Sequence, residues 1–214
     1  MRHLREDVSE AQGAAHLFNS GGFVMYPLLL LSIITLAIAV ERFYYYRNNR
    51  RGSKAFFHGV YHAAAQKDWS VVRQLCEEFP SALSRVIASG MEHDSSESAM
   101  KGAFEDRMSM ESISFHRYLD YLSAVVTISP LLGLLGTVTG MIQTFGVLDS
   151  GGGAAAITGG VGEALVATAT GLCVAILAFC FYTYFSHQLD TLVTDTERLC
   201  STVIGAKRES WDNA

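Results

Sequence analysis

Three apolar stretches free of Asp, Glu, Lys and Arg divide the chain, at residues 11–40, 121–148 and 164–189. Each is long enough for the ~20 residues with which a helix crosses a bilayer. The first contains FVMYPLLLLSIITLAIAV, Phe23 to Val40, introduced by Gly21 and Gly22 and stopped by Glu41 and Arg42. Its polar side chains are Tyr26, Ser32 and Thr35, and Pro27 sits near its start, where a missing N–H costs least. The pattern predicts a lipid-facing helix.

Between the first and second stretches the pattern turns amphipathic. Phe57, Val60, Tyr61 and Ala64 repeat at helical spacing. Asp68 is a predicted N-cap for a helix carrying Trp69, Val72, Leu75 and Cys76, Pro80 marks a break, and Leu83, Val86 and Ile87 belong to a further helix. From about Ser96 no proline interrupts the chain before Pro130, so the second span is expected to continue a long helix. After the third, Leu189, Leu192, Val193, Thr196, Cys200 and Val203 keep a helical period. The expected fold is all-α: three transmembrane helices, the second and third extending into a cytoplasmic helical bundle. The divisions are a segment at 1–22, a first span at 23–40, a helical domain at 41–120, a second span at 121–148, a Gly-rich loop at 149–160, a third span at 161–185 and a C-terminal helix at 186–214.

Charge supplies the orientation. Eleven of the sixteen Lys and Arg residues lie in 41–120, five of them between Arg42 and Lys54, and none lies between the second and third spans. The positive-inside rule places 41–120 and the C-terminal tail in the cytoplasm, with the N-terminus and the Gly-rich loop periplasmic. Charged residues make up only 17% of the chain, against roughly 25% in soluble domains. The net charge of −5 gives no general basic footprint for nucleic acid. Met1 to Asn19 carries Glu6, Asp7 and Glu10, unlike the basic start of a signal peptide. Cys76, Cys173, Cys180 and Cys200 form no CxxC pair and read as reduced packing residues.

The second span is unusually polar, with Ser123, Thr127, Ser129, Thr137, Thr139, Gln143 and Thr144. Ser123, Pro130, Thr137 and Thr144 repeat every seven residues, and Gly133, Gly136 and Gly140 supply positions for close helix packing. Two accounts are open. Either these hydroxyls bond back to their own helix carbonyls, or something polar faces them. Glu163, at the start of the third span, is an intramembrane functional candidate; equally it is an interfacial acid complementing a helix N-terminus. Thr170 shares its face, whereas Thr168 is offset by roughly 140°.

The strings TISPLLGLLGTVTGMIQTF and GGVGEALVATATGLCVAI resemble the signature of the MotA/TolQ/ExbB proton-channel family, and GGFVMYPLLLLSIITLAIAVERFYYYR resembles the first span of its ExbB and TolQ branch. The resemblance covers all three spans in order. It implies an energy-transducing subunit of the bacterial inner membrane: a homopentamer around the single transmembrane helices of an ExbD- or TolR-like dimer, whose membrane-embedded Asp carries the proton. Thr137, Glu163 and Thr168 correspond to polar residues that the family places along its ion pathway. Pro130 resembles a family proline implicated in coupling motion. Thr139 stands where an aromatic is common. The implied work is done on a TonB-like protein for outer-membrane transport; the alternatives are TolQ-like envelope maintenance and a non-conducting membrane scaffold.

Other motifs add little. His58 and His62 share a helix face, but no third ligand completes a metal set, and no metal or cofactor is expected. No Walker, HExxH or GxSxG string occurs, so the chain is not expected to be an enzyme. Arg42, Arg47, Arg50 and Arg51 read as topology anchors, with binding of anionic membrane lipids as the secondary reading. Tyr44, Tyr45 and Tyr46 read as interfacial aromatics.

Overall fold

A computed structural model describes residues 21–50, 53–149 and 154–212. These residues form six helices: α1 Met25–Arg50, α2 Ser53–Ala65, α3 Trp69–Glu78, α4 Ala82–Glu92, α5 Glu97–Asp149 and α6 Ala154–Asp212. No strand occurs among them. Three helices, α1, α5 and α6, are long and apolar enough to cross a membrane. The N-terminal segment up to Ser20 and Gly151–Gly153 of the Gly-rich loop lie outside the described residues. Helix α6 begins at Ala154, inside the stretch expected to be loop. Ala154, Ala155 and Ala156 there are strong helix formers, and they outweigh the glycines that follow.

The chain divides into two compact units. One contains Val40–Leu119 and Thr183–Ala214. Here local chemistry sets the short helices. Lys67 adopts the left-handed conformation, φ 57°, at the end of α2. The Lys67 N–H donates to the Ala64 carbonyl at 3.0 Å and the Asp68 N–H to that of Ala63 at 2.9 Å, the two bonds of a Schellman termination. Asp68 then caps α3 by accepting from the Val71 N–H. Hydrogen bonds from Ser70 and Val71 hold its carboxyl below the usual range. Ser81 and Ser84 form a reciprocal capping box at the start of α4.

The apolar faces of these helices meet the Glu97–Leu119 and Thr183–Asp212 lengths of α5 and α6 in one core, centred on Phe56, Val72, Ile87, Met100, Leu199 and Val203. Arg85 holds Glu111 in a bidentate pair at 2.7 and 2.6 Å. At the chain's end Lys207 pairs with Asp94 and lies 5.4 Å from the Trp69 ring, while the Trp211 indole donates to the Asp94 carbonyl at 2.9 Å. Arg42 and Tyr46 are packed inside the protein, being only 4% and 3% exposed. The Arg42 guanidinium lies 4.0 Å from the Tyr118 ring centroid, and Tyr46 stacks on Phe185 and Phe115. These aromatics give the guanidinium a cation–π environment in place of water. The Arg50 and Arg51 side chains lie outside the described residues.

The other unit contains the chain up to Ala39 together with Asp120–Tyr182. Only one face of α1 packs within it: Val24, Met25 and Leu28 are buried with Leu132 beside them. Leu29, Leu30, Ile33 and Leu36 are exposed, the apolar outer surface that lipid or neighbouring chains would cover.

Candidate functional site

Within this unit α5 and α6 run antiparallel, and their register can be read from the glycines. A Cβ added at Gly140 would meet Ala164 Cβ at 3.0 Å, and one at Gly136 would meet Ala167 Cβ at 2.5 Å. At Gly133 it would meet Thr168 Cα at 3.1 Å, and at Gly171 the Ser129 carbonyl oxygen at 2.6 Å and Gly133 Cα at 3.0 Å. The expected packing role of Gly133, Gly136 and Gly140 is therefore real, and Gly171 joins them from the facing helix. Without side chains the backbones approach closely enough for interhelical polar contacts.

Thr168 makes one such contact. The Thr168 hydroxyl donates to the Gly133 carbonyl oxygen at 2.9 Å. The other threonines bond within their own helices: Thr127 to Ser123, Thr137 to Leu134 at 2.6 Å, Thr139 to Leu135, Thr144 to Gly140 and Thr170 to Val166. Back-bonding is thus the structural state of most of these hydroxyls. It commits the proton and leaves the oxygen lone pairs, so each threonine remains an acceptor. Such oxygens suit a cation or a protonated acid, and they offer no donor to an anion.

The residues expected to form the pathway occupy successive levels. Glu163 is next to Ala164 and so lies at the level of Gly140; Thr137 comes one turn along α5; Thr168 lies at the level of Gly133; Pro130 follows within the next turn. All four are half-buried. The seven-residue stripe is less uniform than its spacing suggests. Thr144 is buried against Gly160 and Ser123 is exposed, because a helix drifts by about 20° per heptad.

Sequence reasoning did not find the surroundings of Glu163. Gly22 has a positive φ of 69°, and a Cβ there would lie 3.0 Å from Glu163 Oε1. Gly22 immediately precedes α1, whose first turn is tied by the Met25 N–H to the Gly22 carbonyl at 3.1 Å. The carboxylate therefore stands by the positive end of a helix dipole other than its own. The GG pair before the first span was visible, but nothing in it named Glu163 as a neighbour. Among the described residues no His, Cys, Asp or Glu cluster could hold a metal.

Comparison with known proteins agrees with this architecture. The chain is 36% identical over 185 residues to the ExbB-like 1 biopolymer transport protein of Synechocystis, covering 81% of this chain and 72% of that one. It is 31% identical over 179 residues to the biopolymer transport protein ExbB of Salmonella typhimurium, covering 78% and 72%. It is also 34% identical over 107 residues to the Tol-Pal system protein TolQ of Haemophilus influenzae, covering 48% and 47%. The profile of the MotA/TolQ/ExbB proton channel family matches residues 78–198, from α3 through most of α6. With its three apolar helices and its ExbB and TolQ relatives, the chain belongs to the MotA/TolQ/ExbB proton channel family.

Proposed function

We propose that the chain is the ExbB-like proton-channel subunit of an energy-transducing motor in a bacterial inner membrane. Its N-terminus and Gly-rich loop are periplasmic and its C-terminus cytoplasmic. A ring of copies, five by the family resemblance, surrounds a dimer of ExbD- or TolR-like single-span proteins and transmits work to a TonB-like protein. The observation that carries this reading is the succession of oxygens at Glu163, Thr137 and Thr168 at adjacent levels of one helix pair. A protonated carboxyl on the partner could donate to these oxygens in turn. Proton flow would supply about 2.3 kcal/mol per charge per 100 mV. Charging and neutralising the carboxyl would alternate its preference between the hydroxyl-lined position and an apolar one. Pro130 interrupts helix bonding beside this row and is the proposed site of coupling motion.

Longer coverage by ExbB-type than by TolQ-type relatives favours the ExbB reading over envelope maintenance. A non-conducting scaffold is the second reading, and the back-bonding of Thr137 and Thr139 favours it. Partner-dependent proton flux into vesicles separates the two. Thr137→Ala and Thr168→Ala are expected to lower it; unchanged flux in both would favour the scaffold.

A further inference from the structure

Ser129 differs from every threonine in the row. Its side chain is fully enclosed, 0% exposed, and its hydroxyl has no hydrogen-bond partner. A buried hydroxyl left unpaired carries a desolvation cost that nothing offsets. Serine in a helix ordinarily avoids that cost by bonding back to a carbonyl one turn earlier, as the neighbouring threonines do.

The next residue sharpens the anomaly. Pro130 has no N–H, so the Val126 carbonyl lacks its regular helical donor. Val126 and Ser129 are three residues apart and share a face of α5. One turn of helix thus carries a carbonyl that receives no N–H from Pro130 and a hydroxyl without a partner, at the level where the Ser129 backbone lies closest to Gly171. A buried water needs two to four polar partners, and these two groups provide the minimum.

Position gives the pair its meaning. The levels of the row pass from Glu163 beside Gly140 to Thr137 and to Thr168 beside Gly133, and Ser129 opposite Gly171 is one further turn toward the cytoplasmic end. The threonine protons are committed to carbonyls, whereas the Ser129 proton is not.

We propose that Ser129 and the Val126 carbonyl hold an internal water molecule that forms the inner station of the ion pathway. That water accepts from the Ser129 hydroxyl and donates to the carbonyl. Its remaining lone pair can receive a proton that the partner carboxyl has carried past the threonines, and its second hydrogen can pass one on. Ser129 is therefore a positioning residue, acting through the water it orients. The role as a station rests on the proposed conduction, whereas the water site itself does not.

The test uses the full chain in membrane vesicles with its partner, with Cys76, Cys173, Cys180 and Cys200 replaced by serine or alanine. Ser129→Cys is compared with Ala178→Cys, an equally enclosed site in the apolar cluster of Val125 and Val174. On transfer to D2O the thiol of the Ser129→Cys variant is expected to take up deuterium, read by its S–H infrared stretch, at least about tenfold faster than that of Ala178→Cys, because this exchange needs only a water at the sulfur. Equal rates would overturn the proposal. A second arm needs no cysteine. Ser129→Ala should lower the thermal midpoint if it removes a water-bonded hydroxyl, and should raise it if the hydroxyl is dry and unpaired. A raised midpoint would overturn the water site. Rapid labelling together with unchanged flux in the Thr137 and Thr168 variants would leave the water site standing and remove the conduction reading.

Discussion

The hydroxyl of Thr168 on α6 donates to the carbonyl oxygen of Gly133 on α5 at 2.9 Å, joining the two helices at the level where their backbones lie close together. The bond depends on the missing side chain at Gly133, since a Cβ there would lie 3.1 Å from Thr168 Cα. Interhelical bonds of this kind contribute about 0.6–2 kcal/mol in membranes. Thr168→Val, which keeps the shape and loses the donor, is expected to destabilise the helix pair by that amount in a denaturation series in detergent. Thr168→Ser should retain most of the stability.

Gly171 is the least replaceable glycine of the seam. Its added Cβ would meet backbone atoms, the Ser129 oxygen and Gly133 Cα, and neither can rotate away. Gly171→Ala is expected to cost about 1–3 kcal/mol or more through forced separation of the helices. Gly162→Ala, in the same helix with nothing within 4 Å, should leave the thermal midpoint unchanged or slightly raised.

Gly22→Ala carries two penalties that a double-mutant cycle can separate. Its φ of 69° costs an L-residue about 1–2 kcal/mol in any context. The tight approach to Glu163 Oε1 adds a part that disappears when Glu163 is shortened. Adding Glu163→Ala should therefore recover only part of the stability lost in Gly22→Ala. Strict additivity would show that the two residues do not touch.

Acid should loosen the end of α6. The Lys207 ammonium bonded to Asp94, with Arg73 also nearby, holds the Asp94 carboxyl below its usual value of 3.8. A folded-state value below the unfolded one means stability that is fully present above the unfolded value and is lost as pH falls through the folded one. The thermal midpoint should fall as pH drops below about 4. Asp94→Asn should lower it at neutral pH and flatten that acid limb.

Much of this fold was legible because it follows from local chemistry. Charge-free runs marked the membrane helices, Asp68 and Pro80 fixed the short helices between them, and the absence of proline after Ser96 foretold the length of α5. Gly133, Gly136 and Gly140 were legible as packing positions because small residues at helical spacing have one common use. What escaped depends on partners far along the chain. Arg42 at the end of an apolar run looks like an anchor, and only the distant Tyr118 and Phe185 reveal an aromatic enclosure around it and Tyr46. Gly22 could be seen as a helix boundary but not as the neighbour of Glu163. Ser129 was one hydroxyl among seven polar side chains, distinguished only once every other threonine in the row had found an acceptor.

The back-bonded threonines bear on how the proposed ring would idle. A wall that keeps its hydroxyl protons on backbone carbonyls has no mobile charge of its own to pass along, and relaying one would require breaking those bonds in sequence. Under the proposed function, such a ring would be nearly proton-tight until a carboxyl from the partner protein travels past it. Cells could then make this subunit in excess without dissipating their membrane potential, and fuel would be consumed only in complexes that contain the moving part.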